Sequence, residues 1–211
     1  AGVADLDLDG SPEVVTVHSA DHTLSIWRIA PDAAGGVEFV REGVNINGDL
    51  AERPDGGGGG PVTIADYDGD NVPDVGLAAG VGYAVFNGAG LMNPAIPNAD
   101  SLMWISPAVD CSSRATGSSV VDFDGNGQAE VVYADEQYVR IYDGATGNVL
   151  LERCNSSGTL NEYPLVADVD GDSQADIIVP ANAYSSAAGC PDDESVQTGI
   201  RVFGSSGWVR A

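Results

Sequence analysis

The chain has 211 residues, with eight Lys+Arg against 32 Asp+Glu and a formal net charge of −24. Such a balance repels phosphate backbones and anionic lipid alike, which excludes nucleic-acid binding and docking on an anionic lipid surface. With 43% hydrophobic residues the charge does not signal disorder, and 28 Gly with 11 Pro imply many turns in a chain long enough to bury a sizeable core.

The sequence opens at Ala1-Gly2-Val3-Ala4, without Met or a charged and then apolar leader, so we expect a removed signal or a piece of a longer protein. Gly2-Val-Ala reads as a short strand and runs into Asp5-Leu-Asp-Leu-Asp-Gly-Ser-Pro-Glu13. A second strand follows at Val14-Val-Thr-Val, a third carries the pair Ile26-Trp27, and Val37-Glu-Phe-Val closes the unit as a fourth. The glycine run 56–60 links this unit to the next.

The second unit repeats the order: Pro61-Val-Thr-Ile-Ala, then Asp66-Tyr-Asp-Gly-Asp-Asn-Val-Pro-Asp74, Val75-Gly-Leu-Ala, Val85-Phe86 and Leu102-Met-Trp-Ile. The 12-residue stretch from Val75 to Phe86 is the longest weakly polar one and is too short to span a bilayer. The third unit holds Ser118-Ser-Val-Val, Asp122-Phe-Asp-Gly-Asn-Gly-Gln-Ala-Glu130, Val131-Val-Tyr-Ala, Ile141-Tyr142 and Val149-Leu-Leu. The fourth holds Tyr163-Pro-Leu-Val-Ala, Asp168-Val-Asp-Gly-Asp-Ser-Gln-Ala-Asp176, Ile177-Ile-Val, Val202-Phe203 and Trp208-Val, with an insertion over about 181–198. Nothing of length reads as an amphipathic helix.

The acidic segments start 61, 56 and 46 residues apart and hold 15 of the 32 acidic residues. A merely solvated acidic surface would not space its charges this way. Four short antiparallel strands per unit, repeated, are the pattern of propeller blades. We therefore expect an all-β β-propeller segment over 1–211, with blades near 1–50, 61–107, 117–154 and 162–211. Four blades left as an open arc would expose two apolar faces, so a larger ring is expected, with a closed four-bladed ring as the alternative.

Oxygen donors at alternating positions suit a hard cation, and Ca²⁺ takes six to eight oxygens. Positions 1, 3, 5 and 9 supply side-chain oxygens and position 7 a backbone carbonyl. The expected ligands are Asp5, Asp7, Asp9, Ser11 and Glu13; Asp66, Asp68, Asp70, Val72 and Asp74; Asp122, Asp124, Asn126, Gln128 and Glu130; and Asp168, Asp170, Asp172, Gln174 and Asp176. About four Ca²⁺ would bind, one per loop. Gly10, Gly69, Gly125, Gly127 and Gly171 supply the positive φ that such loops demand. An EF-hand closes at position 12 and enters a helix, whereas these loops close at 9 and enter a strand. Crowded carboxylates without a cation would repel one another.

These residues resemble the FG-GAP/VCBS-type repeats, the calcium-loop blades of integrin α-subunits and of many secreted bacterial proteins. The shared pattern is D-x-D-x-[DN]-G-x-x-[DE], or its variant with Gly at position 4. The resemblance implies an extracellular, cell-surface or periplasmic propeller that binds or supports rather than catalyses. Phe203-Gly204 is an isolated trace of the FG tripeptide, and Asp143-Gly-Ala-Thr-Gly147 is similar to a turn of quinoprotein-type propeller repeats.

No G-x-S-x-G, H-E-x-x-H or Walker loop is present. His18 and His22, the two histidines, read as an exposed turn, with a metal or acid–base pair as the alternative. Trp27, Trp104 and Trp208 fall in strands, where packing between blades is expected before sugar stacking. Of Cys111, Cys154 and Cys190, the last two lie in loops that a propeller places on one face, so a Cys154–Cys190 bridge is expected, leaving Cys111 over. Asn155-Ser-Ser is a glycosylation sequon if the source is eukaryotic. The expectation is a non-enzymatic, calcium-stabilised ligand-binding or adhesion module, meeting a protein or glycan on the face opposite the acidic loops. A rhamnogalacturonan-lyase-like polysaccharide lyase or hydrolase and a purely structural spacer are the alternatives.

Overall fold

Alternating β-branched and aromatic residues between Asp/Gly/Pro turns give short strands that pair with their chain neighbours. The computed structural model describes residues 1–18, 23–28, 38–45, 59–79, 82–184, 190 and 198–204. Strands β1 (Gly2–Ala4), β2 (Glu13–His18), β3 (Thr23–Arg28) and β4 (Glu38–Asn45) form the first antiparallel sheet. The second sheet is β5 (Thr63–Ala65), β6 (Asp74–Ala79), β7 (Gly82–Phe86) and β8 (Leu102–Pro107). The third is β9 (Ser118–Val121), β10 (Glu130–Ala134), β11 (Tyr138–Tyr142) and β12 (Val149–Cys154). The fourth has β13 (Leu165–Ala167), β14 (Asp176–Asn182) and β15 (Thr198–Phe203) among the described residues, and the expected strand at Trp208-Val lies outside them. Each sheet is an up-and-down meander in sequence order. One helical turn, α1 (Gly88–Met92), capped by the Asn87 side chain, and a 3₁₀ turn at Asn98–Ser101 fill the β7–β8 connection.

The sheets stack face to face in chain order. Leu6, Val15, Leu24 and Ile26 of the first meet Val75, Leu77, Ala84 and Phe86 of the second. Tyr83, Val85 and Trp104 of the second meet Val131, Tyr133 and Tyr142 of the third, and Val132, Val139 and Ile141 of the third meet Ile177 and Val179 of the fourth. The first strands of the four sheets, β1, β5, β9 and β13, lie side by side. Period-2 side-chain direction explains the aliphatic–aromatic pairs. Phe86, Tyr142 and Phe203 pack toward the preceding sheet, whereas Ile26, Val85 and Ile141 pack toward the following one. The pairs of the second and third sheets, Val85-Phe86 and Ile141-Tyr142, therefore each serve two interfaces.

At the two ends of the stack no further sheet faces the same positions among the described residues. Val3, Val14 and Trp27 are cross-strand partners on the outer face of the first sheet, where Val3 is 63% exposed. Leu165, Ile178 and Val202 form the matching row on the outer face of the fourth, and Ile200 beside them is 78% exposed.

The β10–β11 and β11–β12 turns bind the third sheet to its neighbours. Gly144 lends its carbonyl to Trp104 Nε1 at 2.6 Å, and Gly147, at φ +71°, lies flat against the Trp104 ring. The 143–147 turn is therefore a clamp on the preceding sheet. Asp110 organises the connection into the third sheet, accepting from the Thr116 amide and from the Ser113 and Thr159 hydroxyls. Burial would raise its carboxyl, but these donors outweigh burial and hold it below the ordinary range. Cys154, at the end of β12, is joined by a disulfide to Cys190 in the β14–β15 connection, and Cys111 is half-buried after β8.

Candidate metal centres

The four acidic segments are the turns between the first and second strands of each sheet and share one rim. Their hydrogen bonds repeat. The position-1 carboxylate accepts the position-6 amide through Oδ2: Gly10 to Asp5 at 2.8 Å, Asn71 to Asp66 at 2.8 Å, Gly127 to Asp122 at 2.9 Å and Ser173 to Asp168 at 2.9 Å. Position 3 accepts the position-5 amide at 3.0–3.2 Å through Asp7, Asp68, Asp124 and Asp170. Position 5 accepts the position-7 amide, so Asp9, Asp70, Asn126 and Asp172 are fixed by Ser11, Val72, Gln128 and Gln174. Position 9 is the first residue of the next strand, and its carboxylate takes the position-2 amide: Leu6 to Glu13, Tyr67 to Asp74, Phe123 to Glu130 and Val169 to Asp176.

These bonds require the backbone to enter the left-handed region twice. Position 4 does so at Leu8, Gly69, Gly125 and Gly171, and position 6 at Gly10, Asn71, Gly127 and Ser173. Glycine flagged five of these eight positions in the sequence. Leu8, Asn71 and Ser173 carried no such flag.

Carboxylate oxygens converge to within 4.8 Å in each loop: Asp5, Asp7 and Glu13; Asp66, Asp68 and Asp70; Asp122, Asp124 and Glu130; Asp168, Asp170 and Asp176. Positions 1 and 3 meet in all four. Position 9 joins them in loops one, three and four, whereas loop two brings in Asp70 instead. Asp74 there is fully buried and its oxygens accept from Tyr67 N, Gly88 N and Asn87 Nδ2. Asp9, Asp74 and Asp172 are not among the converging carboxylates, and Asn126 at position 5 and Ser11, Val72, Gln128 and Gln174 at position 7 carry no carboxylate to bring to them. An all-oxygen donor set with three carboxylates drawn together suits a hard divalent cation, and Ca²⁺ above a softer metal.

The electrostatics point the same way. Burial pushes Asp74 up to about 7, with the charges of Asp68 and Asp70 adding to it, although the Gly88 and Tyr67 amides oppose the shift. Burial also raises Asp68 and Glu130, each with neighbouring carboxylates adding to the effect. Loops that favour proton uptake are loops that a cation would relieve.

Loop one contains a group the sequence reading passed over. Arg28, at the end of β3 and opposite Glu13 in register, places NH2 2.8 Å from Asp7 Oδ2 and 3.5 Å from Asp9 Oδ2, and Nε 3.3 Å from Glu13 Oε1. Desolvation pulls its pKa down, but the charges of Asp9, Asp7 and Glu13 outweigh this and raise it. The signal was available in the residue after each aliphatic–aromatic pair: Arg28, Asn87, Asp143 and Gly204.

His18 is exposed at the end of β2, and His22 lies outside the described residues. Trp104 is buried between sheets and Trp27 donates to Thr16 Oγ1 at 3.0 Å, while Trp208 lies outside the described residues. No helix among the described residues is long and apolar enough to cross a membrane.

Stacked antiparallel sheets, each opening on the same acidic turn, define an all-β repeat protein. Residues 122–179, from the first Asp of loop three through most of β14, match the family described as FG-GAP-like repeat. Among solved structures, the chain is similar to the V. cholerae biofilm matrix protein Bap1, at 31% identity and a TM-score of 0.51. The likeness covers 64% of this chain and 20% of that one, so this chain spans about a fifth of its length. No curated protein matches the chain. The resemblance to FG-GAP/VCBS-type repeats read from the acidic segments agrees with both findings.

Proposed function

We propose that the chain is a calcium-stabilised segment of a β-propeller in an extracellular or surface protein, acting as a non-enzymatic binding or adhesion module. The observation that carries the reading is the repeated loop geometry: four turns with one hydrogen-bond scheme and converging carboxylates. Residues at positions 1, 3, 5 and 9, with the position-7 carbonyl, would hold Ca²⁺. The metal would supply charge neutralisation, locking each turn to the strand that follows. Similarity to a biofilm matrix protein supports placement outside the cell, where calcium is abundant enough for sites of roughly 10⁻⁴–10⁻³ M affinity.

The propeller is supported by the face-to-face stacking of meanders and the alignment of β1, β5, β9 and β13 along one side. Further sheets of the same kind would cover the outer faces bearing Trp27 and Val202. The acidic rim would then be the stiffened edge, leaving the opposite loops, including the one tied by Cys154–Cys190, to meet a protein or glycan.

Thermal unfolding in about 5 mM Ca²⁺ and after exhaustive EDTA treatment, with metal content read by mass spectrometry, tests the reading. A cation that binds only the folded state stabilises it by RT ln(1 + [L]/Kd), about 1.4 kcal/mol per site at tenfold excess over Kd. A rise in Tm of ten degrees or more with stoichiometric Ca²⁺ is expected. No bound Ca²⁺ and no shift would remove the metal from the reading.

A further inference from the structure

Among the described residues, loop one carries its own cation and the other three loops do not. The geometry points to Arg28 as a built-in counter-cation that takes the place of Ca²⁺ in loop one, so that the chain binds metal in three loops and not in four. This inference rests on the calcium reading of the acidic loops and concerns how that set of sites is filled.

The guanidinium engages positions 3, 5 and 9 together: Asp7, Asp9 and Glu13. Two of these, Asp7 and Glu13, belong to the three carboxylates that converge in this loop. A planar fork of donors matches carboxylate oxygens and never loses its charge near neutrality. A dication reaching the same oxygens would have to displace these contacts and lie close to a fixed positive charge, which is unfavourable at a few ångströms.

Arg28 is held in place from its own strand. It pairs with Glu13 across β2 and β3, and the neighbouring Trp27 is tied to Thr16 by its indole N–H. The equivalent position in loop two is Asn87, whose side chain donates to Asp74 without bringing charge. In loop three it is Asp143, whose carboxylate accepts from Thr146, and in loop four it is Gly204, which has no side chain. Loop one should therefore keep its shape when calcium is withdrawn, whereas loops two to four should respond.

Equilibrium dialysis of the full 211-residue chain at about 1 mM free Ca²⁺, followed by metal analysis, tests this. The wild type should hold three Ca²⁺ per chain and Arg28→Gln four. In EDTA, Arg28→Gln should melt below the wild type, and the difference should close when Ca²⁺ is added. Four Ca²⁺ in both proteins would overturn the role of Arg28 and leave the calcium reading standing. Three in both, with equal Tm in EDTA, would overturn it equally. No Ca²⁺ in the wild type would overturn the calcium reading and this inference with it. If Arg28→Gln does not fold, Asp7→Asn and Asp170→Asn in the wild-type background decide the matter. Asp7→Asn should leave the count at three and Asp170→Asn should lower it by one, and a lost ion with Asp7→Asn would overturn the proposal.

Discussion

Asp74 is a buried carboxyl whose protonation bears on the metal-free chain. Its carboxyl titrates near 7 in the fold, against about 3.9 in an unfolded chain. The folded state therefore binds more protons between these values, and the stability this contributes is full below about pH 4 and lost as pH rises through about 7. Three units correspond to roughly 4 kcal/mol, an upper figure for one buried group. In EDTA, wild-type Tm should fall from pH 4 to 8 relative to Asp74→Asn, whose curve should lack this component. With saturating Ca²⁺ the wild-type slope should reverse, because cation binding needs the carboxylates deprotonated. An unchanged slope in Asp74→Asn would remove Asp74 as its source. Leu8 makes a second test at this scale. It holds φ +57° with its side chain 58% exposed, a conformation that costs an L-residue about 1–2 kcal/mol. Leu8→Gly gives back part of that as unfolded-chain entropy, so urea denaturation should show a net gain of about 0.5–1 kcal/mol. The acidic positions were legible because the carboxylates alternate at fixed spacing in all four segments whatever lies between. Leu8, Asn71 and Ser173 were not, because a left-handed residue with a side chain looks like any other loop residue.

Strand order and pairing could be read from the sequence because each meander joins neighbours, and the repeats confirmed one another. The aliphatic–aromatic pairs were visible, but not the reason for them. Only the stacking shows that one member faces the preceding sheet and the other the following sheet. The 143–147 turn was legible as a turn and not as a clamp, because its partner Trp104 lies about 40 residues earlier in another sheet. A methyl group added at Gly147 would meet the Trp104 ring at 2.4 Å, and the residue also needs φ +71°. Gly147→Ala should therefore cost about 1–3 kcal/mol by urea denaturation, from overpacking and backbone strain together. A neutral substitution would mean that the turn can leave Trp104 freely. The disulfide acts at the same scale. Cys154 and Cys190 are 36 residues apart, and closing a loop of that size stabilises by about 4 kcal/mol on the chain-entropy account. A Cys154→Ser/Cys190→Ser variant should lose a sizeable part of this, with its Ca²⁺ stoichiometry unchanged because the acidic loops lie on the opposite rim.

At the scale of the whole molecule, two surfaces decide behaviour in solution. The first is the acidic rim, where the four loops hold 15 of the 32 acidic residues. The second is the pair of outer sheet faces, apolar and unlike each other. One shows Val3, Val14 and Trp27, and the other Leu165, Ile178, Ile200 and Val202. Within the stack, every interface joins the aliphatic member of one sheet to the aromatic member of the next. If the outer faces are open in solution, they would supply the two halves of one more such interface, one molecule's Val202 face meeting another's Trp27 face. That contact is heterologous, which means that copies add head to tail and the series need not close at two. Sedimentation velocity should show association that grows with concentration and strengthens in Ca²⁺, as neutralising the rim lowers the repulsion between copies. Ile200→Asp/Val202→Asp should keep the chain monomeric, since the charges would be buried without partners at the contact. Thr16→Asp on the other outer face should do the same from the opposite side. If the wild type stays monomeric at high concentration, the outer faces are already satisfied, and the case for further sheets covering them falls.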